Sequence, residues 1–238
     1  MFKTIFFDLD GTLLGLDEDK FIKLYFGTLG KKFAGLGFEV NTFLNAVWYG
    51  TKKMRDNDGE KSNEDVFWPA FYEMVDGDKA LIESEFLSFY QNDFDVVVES
   101  TYPSVYPKKI IELLKKHQIR IFLATNPLFP AIATHKRIQW AGLEPENFEW
   151  ITTYENSNFS KPSLGYYKMI TDKFGLDPHE CMMVGNDAYE DMAAEHLGMD
   201  TFLVTNHLNN EHKKDISVFK NGTLEEFYLY LVKELEGE

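Results

Sequence analysis

Asp8 and Asp10 close the first apolar run of the chain, which begins at Phe2 and ends at Phe7, and Gly11 and Thr12 follow them at once. Residues two apart on a strand share a face and lie about 6.6 Å apart along it. Two carboxylates at that spacing are too far apart to share one proton, yet close enough to flank a small anion. Other apolar runs also end in polar residues. One ends in Thr125 and Asn126, another in Gly185, Asn186 and Asp187, with Asp191 just beyond; Lys161 lies between them in "SKPS". Carboxylates gathered on one rim repel each other unless a cation offsets them. An oxygen-lined acidic cluster suits Mg²⁺, which takes a few carboxylates together with water and substrate phosphate. With Mg²⁺ and Lys161 present, a phosphate can bind beside an ionised aspartate. One aspartate can then act as nucleophile and form an aspartyl-phosphate. The other can protonate the leaving oxygen and later activate water. Thr125, Asn126 and Lys161 are the candidates for holding the phosphoryl oxygens.

Such a rim needs strands that end side by side. In an open α/β sheet, ligands bind outside the carboxyl ends of the strands. Short apolar runs fit strands buried on both faces: residues 2–7, 120–127, 148–156 (the weakest), 181–187 and 201–206. Helix-period segments lie between them. One starts at Pro107 with Ile110, Ile111, Leu113 and Leu114 on one face; others end at Gly142, Gly175 and Gly198. Strand alternating with helix implies a doubly wound α/β layer with a mostly parallel sheet. Residues 16–100 differ. They carry helix-period aromatics such as Phe21, Tyr25, Phe43, Trp48, Phe67 and Phe71, and no alternating run. They read as an inserted all-helical subdomain, leaving 1–15 and 101–238 as the α/β core. The segment "STYPSVYP" is the stiff return to that core.

These motifs resemble those of the haloacid dehalogenase superfamily, whose members are mostly phosphatases. "DLDGT" (Asp8 to Thr12) matches the first motif, Thr125 the second, Lys161 the third and "GNDAYED" (Gly185 to Asp191) the fourth. The resemblance covers about residues 1–15 and 101–238. The helical insert looks like the cap subdomain that many members carry after the first motif. The resemblance implies Asp8 as nucleophile and Mg²⁺ ligand, and Asp10 as general acid/base with its carbonyl on the metal. It implies Thr125 holding phosphate and Lys161 neutralising Asp8 and the phosphoryl group. Asp187 would complete the metal site, and Asp191 would support the metal waters or Lys161. One departure stands out. Many relatives read Gly-Asp with a second Asp four residues later, but here Asn186 follows Gly185. Either Asn186 ligates through its amide oxygen or Asp187 reaches in, and its charge favours Asp187.

Composition limits the alternatives. The chain has 238 residues, 44% hydrophobic and 16% aromatic, enough for a large core with a second subdomain. A formal net charge of −15 opposes nucleic-acid binding. One cysteine, Cys181, rules out a disulfide framework, and it reads as a small buried residue. The absence of a long apolar run argues against a membrane span, and Asp8 and Asp10 interrupt the signal-peptide pattern. The expectation is a cytoplasmic, Mg²⁺-dependent phosphatase acting on a small phosphorylated metabolite, with no nucleic-acid or membrane partner; oligomeric state is open.

Rival readings remain at this stage. A phosphomutase would return the phosphoryl group to another hydroxyl. A phosphonate-cleaving enzyme would use a Schiff-base lysine of the insert, among Lys20, Lys23, Lys31, Lys32, Lys52 and Lys53. A dehalogenase has no need of Asp10, because halide leaves without an acid. A receiver-type domain is much shorter and carries its phosphorylated aspartate well inside the chain. A non-catalytic phosphate-binding regulatory protein would bind phosphate without turnover. "GTLGKK" lacks the spacing of a phosphate loop, and the six histidines lack zinc-ligand spacing.

Overall fold

The computed structural model describes residues 2–237. The first strand, β1 (Thr4–Phe7), is buried at every position. It lies at the centre because both of its edges are paired in parallel. Ile5 stands opposite Ile121 of β4 (Arg120–Leu123) on one side and Met182 of β6 (Cys181–Gly185) on the other. The sheet continues outward through β5 (Trp150–Ile151) at one edge, and through β7 (Asp200–Val204) and β8 (Asn221–Gly222) at the other. Its order is β5-β4-β1-β6-β7-β8, with every pairing parallel.

Alternation along the strands feeds two apolar layers. Ile5, Phe7, Ile121, Leu123, Met182 and Val184 pack on one face with α5 (Tyr106–Lys116) and α8 (Leu224–Glu236). Phe6, Phe122 and Met183 face the other way, towards Tyr166, Tyr167 and Ile170 of α7 (Leu164–Phe174). Burial on both faces is why these strands read as continuous apolar runs.

Two features depart from the sequence reading. The weak strand candidate at 148–156 shrinks to the two residues of β5. The segment after Asp187, expected as a helix, is a tight turn followed by a 3₁₀ helix, Met192–Leu197. The cause lies in Asp187, whose Oδ1 accepts the N–H groups of Tyr189 and Glu190 at 2.7 Å each and folds the chain back on itself. Strand β8 and a two-stranded ribbon, β2 (Gly15–Leu16) with β3 (Thr101–Tyr102), were below the reach of periodicity.

That ribbon stands where the chain leaves and re-enters the sheet layer. Between its strands lie α1 (Glu18–Gly35), α2 (Val40–Arg55), α3 (Asn63–Tyr72) and α4 (Lys79–Ser88), then π and 3₁₀ turns to Ser100. Asp17, Ser62 and Asp78 each accept a backbone N–H at a helix start, satisfying donors the helix itself leaves open. The insert has its own aromatic core, with Phe33 stacked on Phe43 at 4.0 Å. It also packs on α6 (Ala131–Trp140) through Ala133 and the nearby Phe129. Among the described residues, no helix is long and apolar enough to cross a membrane.

Candidate active site

Because β4, β1 and β6 are parallel neighbours, the residues just past their ends come together: Thr125, Asp8 and Asn186–Asp187. Lys161 enters from the loop before α7. Its Nζ donates to Asp8 Oδ1 at 2.8 Å and to Asp191 Oδ1 at 2.7 Å. The Lys161 and Asp191 side chains are each 1% exposed, so this is a buried triad of one cation and two carboxylates. Burial works against the ammonium, but Asp191 and Asp8 outweigh it and hold its pKa well above the ordinary lysine value. Burial pushes the Asp191 carboxyl upward, with Lys161 opposing it. Gly185 makes room for the triad: a Cβ there would stand 2.1 Å from Asp191 Oδ2. That oxygen accepts the Asp187 N–H at 2.9 Å.

The loop that delivers Lys161 is tied down from several sides. Asn126 Oδ1 accepts the Lys161 N–H at 3.3 Å, and Asn126 Nδ2 donates to Glu190 at 2.8 Å. Asn126 therefore braces the lysine. The carbonyl of Thr125 accepts the hydroxyls of Thr152 (2.7 Å) and Tyr166 (2.8 Å), which fixes the backbone turn where the Thr125 side chain is presented.

Thr12 proves to be part of the site. Its hydroxyl lies 3.2 Å from Asp8 Oδ2 and 3.1 Å from Asn186 Oδ1, so these two oxygens face a common point. Asn186 is held in that pose by its Nδ2, which donates to the His207 carbonyl at 2.7 Å. Gly11, at φ +82°, allows the approach, since a Cβ there would sit 2.3 Å from Asn186 Nδ2. Asp187, by contrast, spends Oδ1 on its own turn. Among the described residues, no three side chains of the Asp, Glu, His or Cys type converge as a metal cage. The donors that do converge, a carboxylate and an amide oxygen, are hard oxygens suited to Mg²⁺ supplemented by water and phosphate.

Asp10 has a partner that the sequence reading missed. Arg137 on α6 is 1% exposed, and its Nη1 donates to Asp10 Oδ2. Its Nη2 reaches Thr134 Oγ1 at 3.2 Å, and its guanidinium lies 4.6 Å from the Phe129 ring centre. Burial raises the Asp10 carboxyl above the usual aspartate range, and Arg137 holds part of that rise back. Asp10 Oδ1 is buried without a hydrogen-bond partner. The available signal was an arginine inside the buried stripe Ala133, Thr134, Arg137, Ile138 of a helix.

Asp8, Asp10, Thr125, Arg137, Lys161 and Asn186 line a cavity of about 860 Å³ between the sheet rim and the insert. The insert is latched beside it. Asn63, fully buried at the start of α3, donates to the Pro127 carbonyl (2.9 Å) and to Ser160 Oγ (3.3 Å). Phe159 is pinched between Gly59 and Gly165, where added Cβ atoms would lie 2.1 and 2.8 Å from its ring.

The family model for haloacid dehalogenase-like hydrolases matches residues 2–198. The chain belongs to this hydrolase family. One curated member, the pyrophosphatase PpaX of Bacillus velezensis, is 25% identical over 205 residues, 83% of this chain and 80% of that protein. The HAD-hydrolase YfnB of Bacillus subtilis, solved bound to magnesium, superimposes with a TM-score of 0.57 at 20% identity, covering 97% of this chain and 98% of that one. The 2-haloacid dehalogenase of Pseudomonas syringae superimposes at 0.63 with 16% identity, covering 98% and 99%. At such identities the structural matches to other haloacid dehalogenase-like hydrolases speak for the fold alone.

Proposed function

We propose that this hydrolase is a Mg²⁺-dependent phosphatase that acts on a small phosphorylated metabolite through an aspartyl-phosphate on Asp8. The observation that carries the reading is the contrast between Asp8 and Asp10. Both are ion-paired, Asp8 to Lys161 and Asp10 to Arg137, but both Asp8 oxygens are engaged, by Lys161 and Thr12, whereas Asp10 is raised by burial and keeps Oδ1 without a partner. A carboxyl raised by burial with one open oxygen suits an acid/base, and a carboxylate held beside a lysine suits a nucleophile. Asp8 attacks phosphorus and the bond to the leaving oxygen breaks, while Asp10 delivers the proton that oxygen needs. Asp10 then takes a proton from water as it attacks the aspartyl-phosphate, and inorganic phosphate leaves. Lys161 neutralises Asp8 and the phosphoryl oxygens, and Thr125 holds the latter.

Bound Mg²⁺ supplies neutralisation of phosphoryl charge. Asp8, the main-chain carbonyl of Asp10 and Asn186 Oδ1 would hold it; Asp187, turned to its own backbone, is the weaker candidate. The magnesium-bound YfnB supports that choice of ion. A dehalogenase reading accounts for neither Asp10 nor its arginine. A Schiff-base reading lacks its lysine: among the described residues lining the cavity, the lysine is Lys161. The insert's Lys20 and Lys32 are instead committed to Glu99 and to the Glu85 and Asp93 carboxylates.

The test is a Mg²⁺-dependent phosphate-release screen with Asp8→Asn as control. Phosphate release by the parent and its loss in a folded Asp8→Asn chain is the expected result. Turnover by the variant would sink the mechanism.

A further inference from the structure

The cavity around the phosphoryl site has a lining of unusual character for an anion-binding enzyme. Its body is aromatic: Phe21, Phe26, Trp48, Trp68, Phe129 and Tyr154 all face it. Trp48 is 49% exposed and stacks on Phe26 at 4.6 Å with an interplanar angle of 19°. A large aromatic surface left open to a cavity offers a platform for a flat ring.

The charges point the same way. The arginines and the lysine lining the cavity are Arg55, Arg137 and Lys161. Lys161 is committed to Asp8 and Asp191, Arg137 to Asp10, and Arg55 lies 3.8 Å from Glu190. Against them stand Glu18, Glu64, Glu83, Glu155 and Glu211, which add to the carboxylates at the phosphoryl site. These acids already feel one another. Burial and the nearby Glu211 and Asp187 raise Glu18, and burial and Glu155 raise Glu64. A second anionic group on the substrate meets these five glutamates, and among the described residues of the lining the one arginine or lysine outside the buried pairs is Arg55, half-exposed and shared between Glu190 and Glu18.

We propose that the substrate is the phosphomonoester of an uncharged or cationic alcohol bearing a flat ring, which stacks in the aromatic cavity, and that a second anion on the substrate counts against it. A nucleoside monophosphate has the required chemistry, whereas phosphoglycolate, a sugar bisphosphate and pyrophosphate do not. This inference rests on the phosphatase reading above. It separates the chain from its pyrophosphatase relative, whose leaving group is itself an anion.

The experiment uses the full chain with Mg²⁺ and follows phosphate release. Acetyl phosphate, which needs little leaving-group recognition, tests the phosphatase reading. Uridine 5′-monophosphate and 2-phenylethyl phosphate are then compared with phosphoglycolate, fructose 1,6-bisphosphate and pyrophosphate. The expected result is kcat/KM at least about tenfold higher for the ring-bearing monoesters, from stacking and from repulsion of the second anion. Trp48→Ala, at a half-exposed position, should lower that ratio by about tenfold through KM. Cleavage of acetyl phosphate together with equal or better cleavage of the competitors that carry a second anionic group overturns the inference and leaves the phosphatase reading standing. A selectivity ratio unmoved by Trp48→Ala overturns the stacking assignment. Failure to cleave every compound, acetyl phosphate included, overturns both readings.

Discussion

Arg137 and Asp10 are 127 residues apart in sequence, yet the arginine's Nη1 donates directly to Oδ2 of the acid while Oδ1 stays unpartnered. One oxygen is anchored and the other is left for a proton and a leaving group. The guanidinium is itself immobilised by Thr134 Oγ1, the Ala133 carbonyl and the Phe129 ring, so the carboxyl is held against a rigid support. An acid that must serve twice in one cycle, first as donor and then as acceptor, gains from being fixed in place.

Arg137→Met should therefore cost turnover more than binding. Positioned acid/base groups contribute about 10²–10⁴-fold, so kcat is expected to fall by about a hundredfold with KM changed far less. Arg137→Lys keeps the charge but loses the fork of donors, and should recover part of kcat. Steady-state kinetics on both variants checks this. Equal loss in the two variants, with KM rising as much as kcat falls, would show that the arginine merely supports the fold.

Lys161 makes a different prediction because it stands between two buried acids. Removing one partner of a buried ion pair leaves uncompensated charge, at a cost of roughly 3–5 kcal/mol. Lys161→Met should lower the unfolding free energy measured by denaturant titration by that amount, since Asp8 and Asp191 would face each other without a cation. Adding Asp191→Asn to Lys161→Met should restore a substantial part of the loss. Additive destabilisation in the double variant would contradict the triad.

The sheet and its rim were legible in the sequence because both obey local rules. Double-sided burial makes continuous apolar runs, and parallel strands bring their polar ends together, so Asp8, Thr125 and Asn186–Asp187 are expected on one rim from local pattern, while the roles of Lys161 and Asp191 come from the family resemblance. Thr12 and Arg137 were not legible for the same physical reason. Their roles depend on what stands opposite them in space, Asn186 for the one and Asp10 for the other. Asp187 shows the converse: its charge favours it as a metal ligand, but the turn that follows engages its Oδ1, a local contact the charge pattern does not reveal. The segment after it carried apolar residues at helical spacing, yet that turn imposed a 3₁₀ helix.

Cys181 should be chemically inert in the native chain. It is 1% exposed at the start of β6, its Sγ donates to the Asp177 carbonyl at 3.2 Å, and burial pushes its thiol up to about 11. Alkylation needs the thiolate. At pH 8 the native protein should resist iodoacetamide, while the chain unfolded in guanidinium reacts fully. Mass spectrometry of the two samples distinguishes them, and rapid native labelling would contradict the burial.

Asn63 is where the insert meets the loop that carries Lys161. Its Oδ1 accepts Asn57 Nδ2 at 2.8 Å, its Nδ2 reaches Pro127 and Ser160, and its backbone N–H donates to the Ser157 carbonyl at 2.8 Å. Ser160 adjoins Lys161 and donates in turn to the Met54 carbonyl at 2.9 Å. Asn63→Ala strips the side-chain bonds in a fully buried spot, leaving the Pro127 carbonyl without that donor. A buried polar group left unsatisfied costs about 1–3 kcal/mol. The loss should be local: faster amide exchange in residues 157–161 and at the start of α3, with β1 and β6 unchanged. Because the loosened loop carries Lys161, kcat should fall with it, and Asn63→Asp, which keeps an acceptor for Asn57 but no donor for Pro127, should not rescue. Uniform acceleration of exchange across the sheet would show that Asn63 stabilises the whole fold and does not act as a latch between the insert and the catalytic loop.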